Sequence, residues 1–396
     1  MFNNNRYESE LSIFFYGFIR WILNSCIEKK INTIYFLTRE GEFYKKIYEQ
    51  VVKAEEGNTI PRAEILEVSR LSTFAPSLRG IKISEFMRMW NMYQTQSMNA
   101  FFCSLGLKYD LFEEYLIKYQ LDLFEPIQEP WKEQRVLGFL ADQKVSELLE
   151  NSIQEKRSQF YDYCMVKGLN PNETDTIAIV DIGWRGTIQD NLCILFPQKQ
   201  IVGYYLCLAP FLNPQPINGI KMSYIDNHHS KIILRYPTPI EMLCNTSGGS
   251  VVGYEKGRSI RIIEPDEERC YFTFTEEAQS KILSGIRGMH GKEDPRAVKY
   301  MDKLILYPEK KMVRAFFTLR HNETFGIGTY VNKNKKMAWI LFPAALFCRK
   351  YRQKLKYFLW ETTWPQGFFV YYHMRYAAGL YNYILKKGFL HEQACK

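Results

Sequence analysis

Apolar positions recur every three or four residues from 8 to 29, and Lys29-Lys30 closes the stretch, which predicts an N-terminal helix. The period then changes. Ile31-Asn32-Thr33-Ile34-Tyr35-Phe36-Leu37 is short, β-branched and aromatic, and reads as a buried strand. It ends in Thr38-Arg39-Glu40-Gly41, and the helical period returns from about 42 to 54. A second strand fits Glu64-Ile65-Leu66-Glu67-Val68, ending at Ser69-Arg70. From about 81 to 168, Met, Phe, Leu and Tyr recur at helical spacing among charges, until Asn170-Pro171-Asn172-Glu173 breaks the pattern. Thr176-Ile177-Ala178-Ile179-Val180 is the next buried strand. A helix starts near Ile188 and runs to Leu195, and Ile201 to Leu208 forms the strand after it.

Strand–loop–helix–strand units of this length imply parallel pairing with right-handed crossovers. The expected fold class is α/β: a doubly wound, mainly parallel sheet built from residues 1–80 and 171–260. A helical insertion at 81–170 interrupts it, and a mostly helical C-terminal region follows at 261–396, with some strand near 325–342.

Composition narrows the classes. With 46% apolar and 24% charged residues, the chain of 396 is not disordered, collagenous or a coiled coil. A formal charge of +9 suits an anionic ligand or membrane surface as well as RNA. The 27 Tyr, 27 Phe and 7 Trp require a large core, a greasy interface, or both. The longest apolar runs are too short to span a bilayer, and the polar start at Met1 to Arg6 lacks the basic-then-apolar pattern of a secretory signal. The nine cysteines are scattered without a Cys-x-x-Cys, which predicts buried thiols in a reducing, cytoplasmic setting. His391 and Cys395 have no second pair nearby, and the neighbours His228 and His229 read as part of a polar loop, so no protein metal cluster is expected.

In an open parallel sheet, ligands bind beyond the carboxyl ends of the strands. The segment Asp181-Ile182-Gly183-Trp184-Arg185-Gly186-Thr187 falls there. Free N–H groups at a helix start attract phosphate, glycine lets the backbone approach it, Thr187 can donate a hydroxyl bond, and Arg185 adds charge. Asp181 can accept bonds from sugar hydroxyls or hold a metal. The plainer alternative is a tight turn, with Thr187 as helix N-cap and Asp181 a structural acceptor. Arg39 and Gly41 after the first strand, and Ser69 and Arg70 after the second, add cations at the same edge, which suggests a ligand with several phosphates. Glu241, on a short helix before Gly248-Gly249, is either a base or an anchor.

Residues 31–41 and 172–208 together have a layout that resembles type I phosphoribosyltransferases. More closely, Phe36-Leu37-Thr38-Arg39-Glu40-Gly41, Val68-Ser69-Arg70 and Val180 to Gln189 resemble a bacterial polysaccharide-locus family that is often fused to, or paired with, a haloacid-dehalogenase-type phosphatase. The resemblance covers about residues 8–255, and Asp-Ile-Gly-Trp-Arg-Gly-Thr is its specific part. It implies transfer of 5-phosphoribose from phosphoribosyl pyrophosphate (PRPP) to a glycan acceptor, free or lipid-linked, with release of pyrophosphate, in ribofuranose-containing surface polysaccharide synthesis. It also implies that Thr38, Arg39, Gly41, Ser69, Arg70, Asp181, Gly183, Trp184, Arg185, Gly186 and Thr187 bind PRPP. Mg²⁺ would be held chiefly through the substrate, and no nucleic-acid partner is implied. Glu40 stands where relatives more often have Asp, and the usual acid pair is reduced to Asp181. Asp181, Glu40 and Glu241 all remain candidates for the catalytic carboxylate. The Asp-x-Asp strand end of the phosphatase half is missing near the N-terminus, so dephosphorylation would need a separate protein.

Two other readings compete: a haloacid-dehalogenase-type sugar phosphatase, and a non-catalytic PRPP- or nucleotide-binding scaffold of a glycan assembly complex. An actin-fold kinase fits less well, because there the Asp-x-Gly-x-x-x-Thr loop joins two strands, whereas here a helix follows. Separately, the basic and aromatic stretch at 345–360 fits either a peripheral membrane contact at the inner face of the cytoplasmic membrane or a core-packing helix with a solvated face.

Overall fold

Five parallel strands form the central sheet: β1 (Thr33–Leu37), β2 (Arg62–Leu66), β3 (Thr176–Trp184), β4 (Gln200–Leu208) and β5 (Gly219–Ile225), in the order β2-β1-β3-β4-β5. The structure, a computed structural model, describes residues 4–55, 60–225, 231–291, 294, 296–322, 330–332 and 348–394. His228, His229, Phe347, Cys395 and most of the strand expected near 325–342 lie outside the described residues.

Both faces of the sheet are covered, which explains the unbroken apolar runs of β1 and β3. On one face α1 (Asn4–Glu28) and α2 (Glu40–Val51) bury Phe14, Phe18, Tyr44 and Ile47 against Ile34, Phe36, Ala178 and Val180. On the other, Tyr35, Leu37, Ile177 and Ile179 meet Phe160 and Tyr163 of α4 (Gln143–Val166) and Leu192 and Leu195 of α5 (Thr187–Leu195). This arrangement is compatible with a doubly wound fold. The strand order reverses between β1 and β3, and a crevice opens at such a switch point.

Two glycines set this half of the sheet. Gly183 has φ +134°, and a β-carbon there would stand 1.9 Å from the Cys207 carbonyl oxygen. The bare backbone therefore lets β3 run on: Asp181 pairs with Tyr205, Gly183 with Cys207 and Trp184 with Leu208, where the sequence predicted a loop from Asp181 onward. Gly203 makes room for Gln189 of α5, whose Oε1 would lie 2.0 Å from a β-carbon at 203. Gln189 Nε2 donates to the carbonyls of Ile201 (2.9 Å) and Ile220 (3.0 Å), and its Oε1 accepts from the Tyr205 hydroxyl (2.8 Å). The buried amide is thereby satisfied, and α5 is keyed to β4 and β5.

β5 was not anticipated, because an edge strand with Lys221 and Ser223 in it is only half-buried and lacks the apolar run. Nor was the antiparallel hairpin β6 (Ser250–Glu255) and β7 (Arg258–Ile262). The hairpin is clamped to the end of β2: Arg261 pairs with Glu67 (2.7 Å) and Glu42 (3.2 Å), Ser259 donates to Glu67, and the Tyr254 hydroxyl donates to the Glu67 carbonyl.

The insertion has a core of its own, with Phe86, Trp90, Phe101, Phe102, Phe112 and Phe139 packed together. Val145, Leu149 and Ile153 in the first half of α4 belong to that cluster, whereas Phe160 and Tyr163 in its second half cover the sheet. One helix thus fixes the insertion to the sheet. The C-terminal region shares the main core instead: Leu304, Phe316, Trp364 and, in α9 (Pro365–Tyr371), Phe368 join the cluster of α1, and Trp364 Nε1 donates to the Ile305 carbonyl (2.9 Å). Its described strands are Arg320–Asn322 and Tyr330–Asn332, paired antiparallel. Among the described residues no helix is long and apolar enough to cross a membrane. The cysteines among them are free thiols, and most are buried.

Candidate functional site

A cleft of about 600 Å³ opens at the carboxyl ends of β1 and β3. Thr38, Arg39, Glu40, Ser69, Arg70, Asp181, Gly183, Trp184, Arg185, Thr187 and Glu241 line it. Residues from four separate stretches of sequence therefore share one cavity. Gly41 and Gly186 do not line it. Gly41 lies where α2 crosses β1, and a β-carbon there would stand 2.7 Å from the Phe36 carbonyl carbon, so it serves close helix–strand packing. Gly186 is the N-cap of α5 at φ +63°, in the left-handed region.

Some of these side chains are engaged in holding the site together. The Thr38 hydroxyl donates to the Val68 carbonyl (3.0 Å) and accepts from the Val68 N–H (3.1 Å), joining the ends of β1 and β2. Ser69 caps α3 (Arg70–Phe74) by accepting from the Ser72 N–H (3.0 Å), and it donates to the Val251 carbonyl (2.6 Å). These two hydroxyls shape the cleft. Thr187 is the first residue of α5 rather than its cap, and no hydrogen bond engages its hydroxyl among the described residues. It stands at a helix start whose first N–H groups have no intrahelical acceptor. The Thr38–Arg39 and Gly183–Trp184 peptides are cis.

The charged groups divide into two sets. Arg39 pairs with Glu267 of α7 (Pro265–Cys270), its N–H donates to Glu40 (3.1 Å), and its carbonyl accepts from Thr246 (2.9 Å). Burial alone would lower the affinity of Arg39 for its proton, but the carboxylates of Glu267, Glu40 and Glu241 hold it above the ordinary value. Arg70 donates to the Tyr93 hydroxyl (3.2 Å), and Arg185 to the Pro210 carbonyl (2.5 Å).

Opposite them, burial pushes Asp181 up to about 8, and the nearby charge of Glu40 adds to the rise. The N–H groups of Ile182 and Gly183, and Arg70, offset part of it. Burial also raises Glu241, on α6 (Thr238–Cys244), while the Trp184 indole N–H, 2.6 Å from its Oε1, pulls it back. Two carboxyl groups with raised proton affinity beside Arg39 and Arg70 form a site that can accept a proton and bind an anion.

Glu267, Tyr93 and Val251 also line the cleft and were not anticipated. Tyr93 comes from the insertion, Val251 from the hairpin and Glu267 from the C-terminal region. None sits in a recognisable motif. A search for an acid able to neutralise Arg39 is the one signal that could have found Glu267. Among the described residues no group of three or more His, Cys, Asp or Glu is arranged to hold a metal ion. No protein-family model matches the chain, and no curated protein does.

Proposed function

We propose that the protein is a PRPP-dependent phosphoribosyltransferase that adds 5-phosphoribose to a glycan acceptor and releases pyrophosphate. One observation carries this reading. Arg39, Arg70 and Arg185 share a single cleft with the start of α5 and with Asp181, which pairs a polyphosphate-binding set with a proton acceptor. The α5 start, the Thr187 hydroxyl and Arg185 suit the 5-phosphate. Arg39 and Arg70 suit the pyrophosphate as its negative charge grows.

In the reaction the bond from the anomeric carbon to pyrophosphate breaks through an oxocarbenium-like transition state, and the acceptor oxygen forms the new bond from the opposite face. The acceptor hydroxyl proton passes to a carboxylate. Asp181 is the assigned base, because it lines the cleft at the carboxyl half of β3 and burial lifts its proton affinity to about 8. Glu241, held by Trp184, then acts as a positioning group. Mg²⁺ would be held chiefly through substrate oxygens, and Glu40 is the cleft carboxylate that would complete its donor set. When bound it neutralises pyrophosphate charge. The product keeps its 5-phosphate, so forming ribofuranose calls for a phosphatase as a separate partner. A PRPP-using enzyme of this kind works in the cytoplasm.

The test is incubation of the protein with PRPP, Mg²⁺ and candidate lipid-linked or synthetic glycans, read by mass spectrometry. Gain of one phosphoribosyl unit supports the reading. Phosphate release from sugar phosphates with PRPP ignored would point to a hydrolase, and PRPP binding without turnover to a scaffold.

A further inference from the structure

The C-terminal helix α10 (Arg375–Ala394) is amphipathic in an unusual sense: it is apolar on both sides. Ala378, Asn382 and Leu385 are buried, and Asn382 Nδ2 donates to the Leu306 carbonyl (2.7 Å). That side belongs to the main core. Tyr376, Leu380, Tyr383 and Ile384 occupy the other side at helical spacing and are 56 to 96% exposed. Lys387 continues the same stripe, with its ammonium 4.8 Å from the Tyr383 ring centroid. Four large apolar residues in one exposed row are more than scattered surface hydrophobicity and mark a contact face.

Charge indicates what covers it. Residues 348–390 carry eight Lys or Arg and the single acid Glu361. Arg375, Lys386 and Lys387 lie on α10 itself and are exposed. The others lie on α8 (Arg349–Glu361), where Leu359 is buried while Trp360 and Tyr357 are exposed, with ring centroids 6.0 Å apart. Most of the net charge of +9 thus resides in this region. A second copy of the chain would bring like charge against like charge. An anionic lipid surface supplies the opposite charge and takes up Tyr, Trp, Leu and Ile side chains at its interface. At 20 residues, α10 is about 30 Å long, but no described helix is apolar enough to cross a membrane, so the helix lies along the surface.

We propose that the exposed face of α10, assisted by the basic face of α8, docks the protein on an anionic bilayer. The sequence pointed only to 345–360. The structure adds the row on α10, which was hidden because both of its sides are apolar. The proposal does not depend on the reaction assigned above, since it rests on residues outside the cleft.

The experiment is flotation of the full chain with vesicles of phosphatidylcholine alone and of phosphatidylcholine with a minority of phosphatidylglycerol. The protein is expected to float with the anionic vesicles only, and to be released by high salt. Leu380→Ser with Ile384→Ser should lower partitioning at least about tenfold. Lys386→Glu with Lys387→Glu should lower it on the order of thirtyfold. Both pairs are on the surface, and circular dichroism and thermal denaturation confirm that the variants fold. Absence of flotation, or equal flotation of the charge-reversed variant, overturns the proposal. So does a wild-type dimer in sedimentation that becomes a monomer with Leu380→Ser and Ile384→Ser, because a second copy then covers the row.

Discussion

The indole N–H of Trp184 donates to a carboxylate oxygen of Glu241 across 2.6 Å, joining the last residue of β3 to α6. This bond favours the ionised form of a carboxyl group whose proton affinity burial raises. Trp184→Phe removes the donor, so Glu241 shifts further upward. Where ionised Glu241 supports turnover, the acidic limb of the pH–rate profile moves to higher pH. An unchanged profile would show that Glu241 plays no part in turnover.

Asp181 sets a pH dependence of stability with a definite sign. In the unfolded chain it ionises near the usual ~3.9. In the fold it keeps its proton up to about 8. Between these values the native state binds more protons than the unfolded one, so this contribution falls as pH rises and levels off above the upper value. Asp181→Asn should abolish this slope, abolish transfer, and stabilise the fold at alkaline pH by about 2–4 kcal/mol. Thermal denaturation of both proteins in metal-free buffer across that range checks it. A parallel loss of stability in the variant at all pH values would contradict it.

The pair between Arg39 and Glu267 means that an anionic substrate must displace a carboxylate already in the cleft. Glu267→Gln therefore tightens binding of inorganic pyrophosphate by about fivefold, a partly exposed pair being worth up to ~1 kcal/mol. Calorimetric titration measures this directly, and weaker binding in the variant would mean that Glu267 orients Arg39 instead of competing for it.

Substituting Gly183→Ala forces a side chain into the Cys207 carbonyl at a positive φ. The expected cost exceeds ~3 kcal/mol, with poor soluble expression or a large drop in urea midpoint. Near-normal stability would mean that β3 and β4 can separate at this point.

The readable parts of the fold are those in which local pattern and tertiary burial coincide. β1 and β3 are covered on both faces, so their apolar runs are continuous and their ends mark the cleft. Arg39, Arg70, Asp181 and Thr187 follow from those ends. The hairpin that walls the cleft was not legible, because in β7 the apolar Ile260 and Ile262 are exposed while Ser259 and Arg261 turn inward, and its anchor, Glu67, lies 194 positions from Arg261. Glu267 is 228 positions from Arg39, and only the folded chain brings the two together. Thr38 and Ser69 look like ligand-binding hydroxyls in sequence, whereas backbone groups of neighbouring strands already use them.

The fit between Gln189 and Gly203 ties the two positions to one another. An amide that fills the space of a missing side chain cannot change without its counterpart, since any larger residue at 203 collides with Gln189 and any shorter one at 189 strands the Tyr205 hydroxyl. The two positions form a lock and its key, and in distant sequences built on this sheet their identities should vary together.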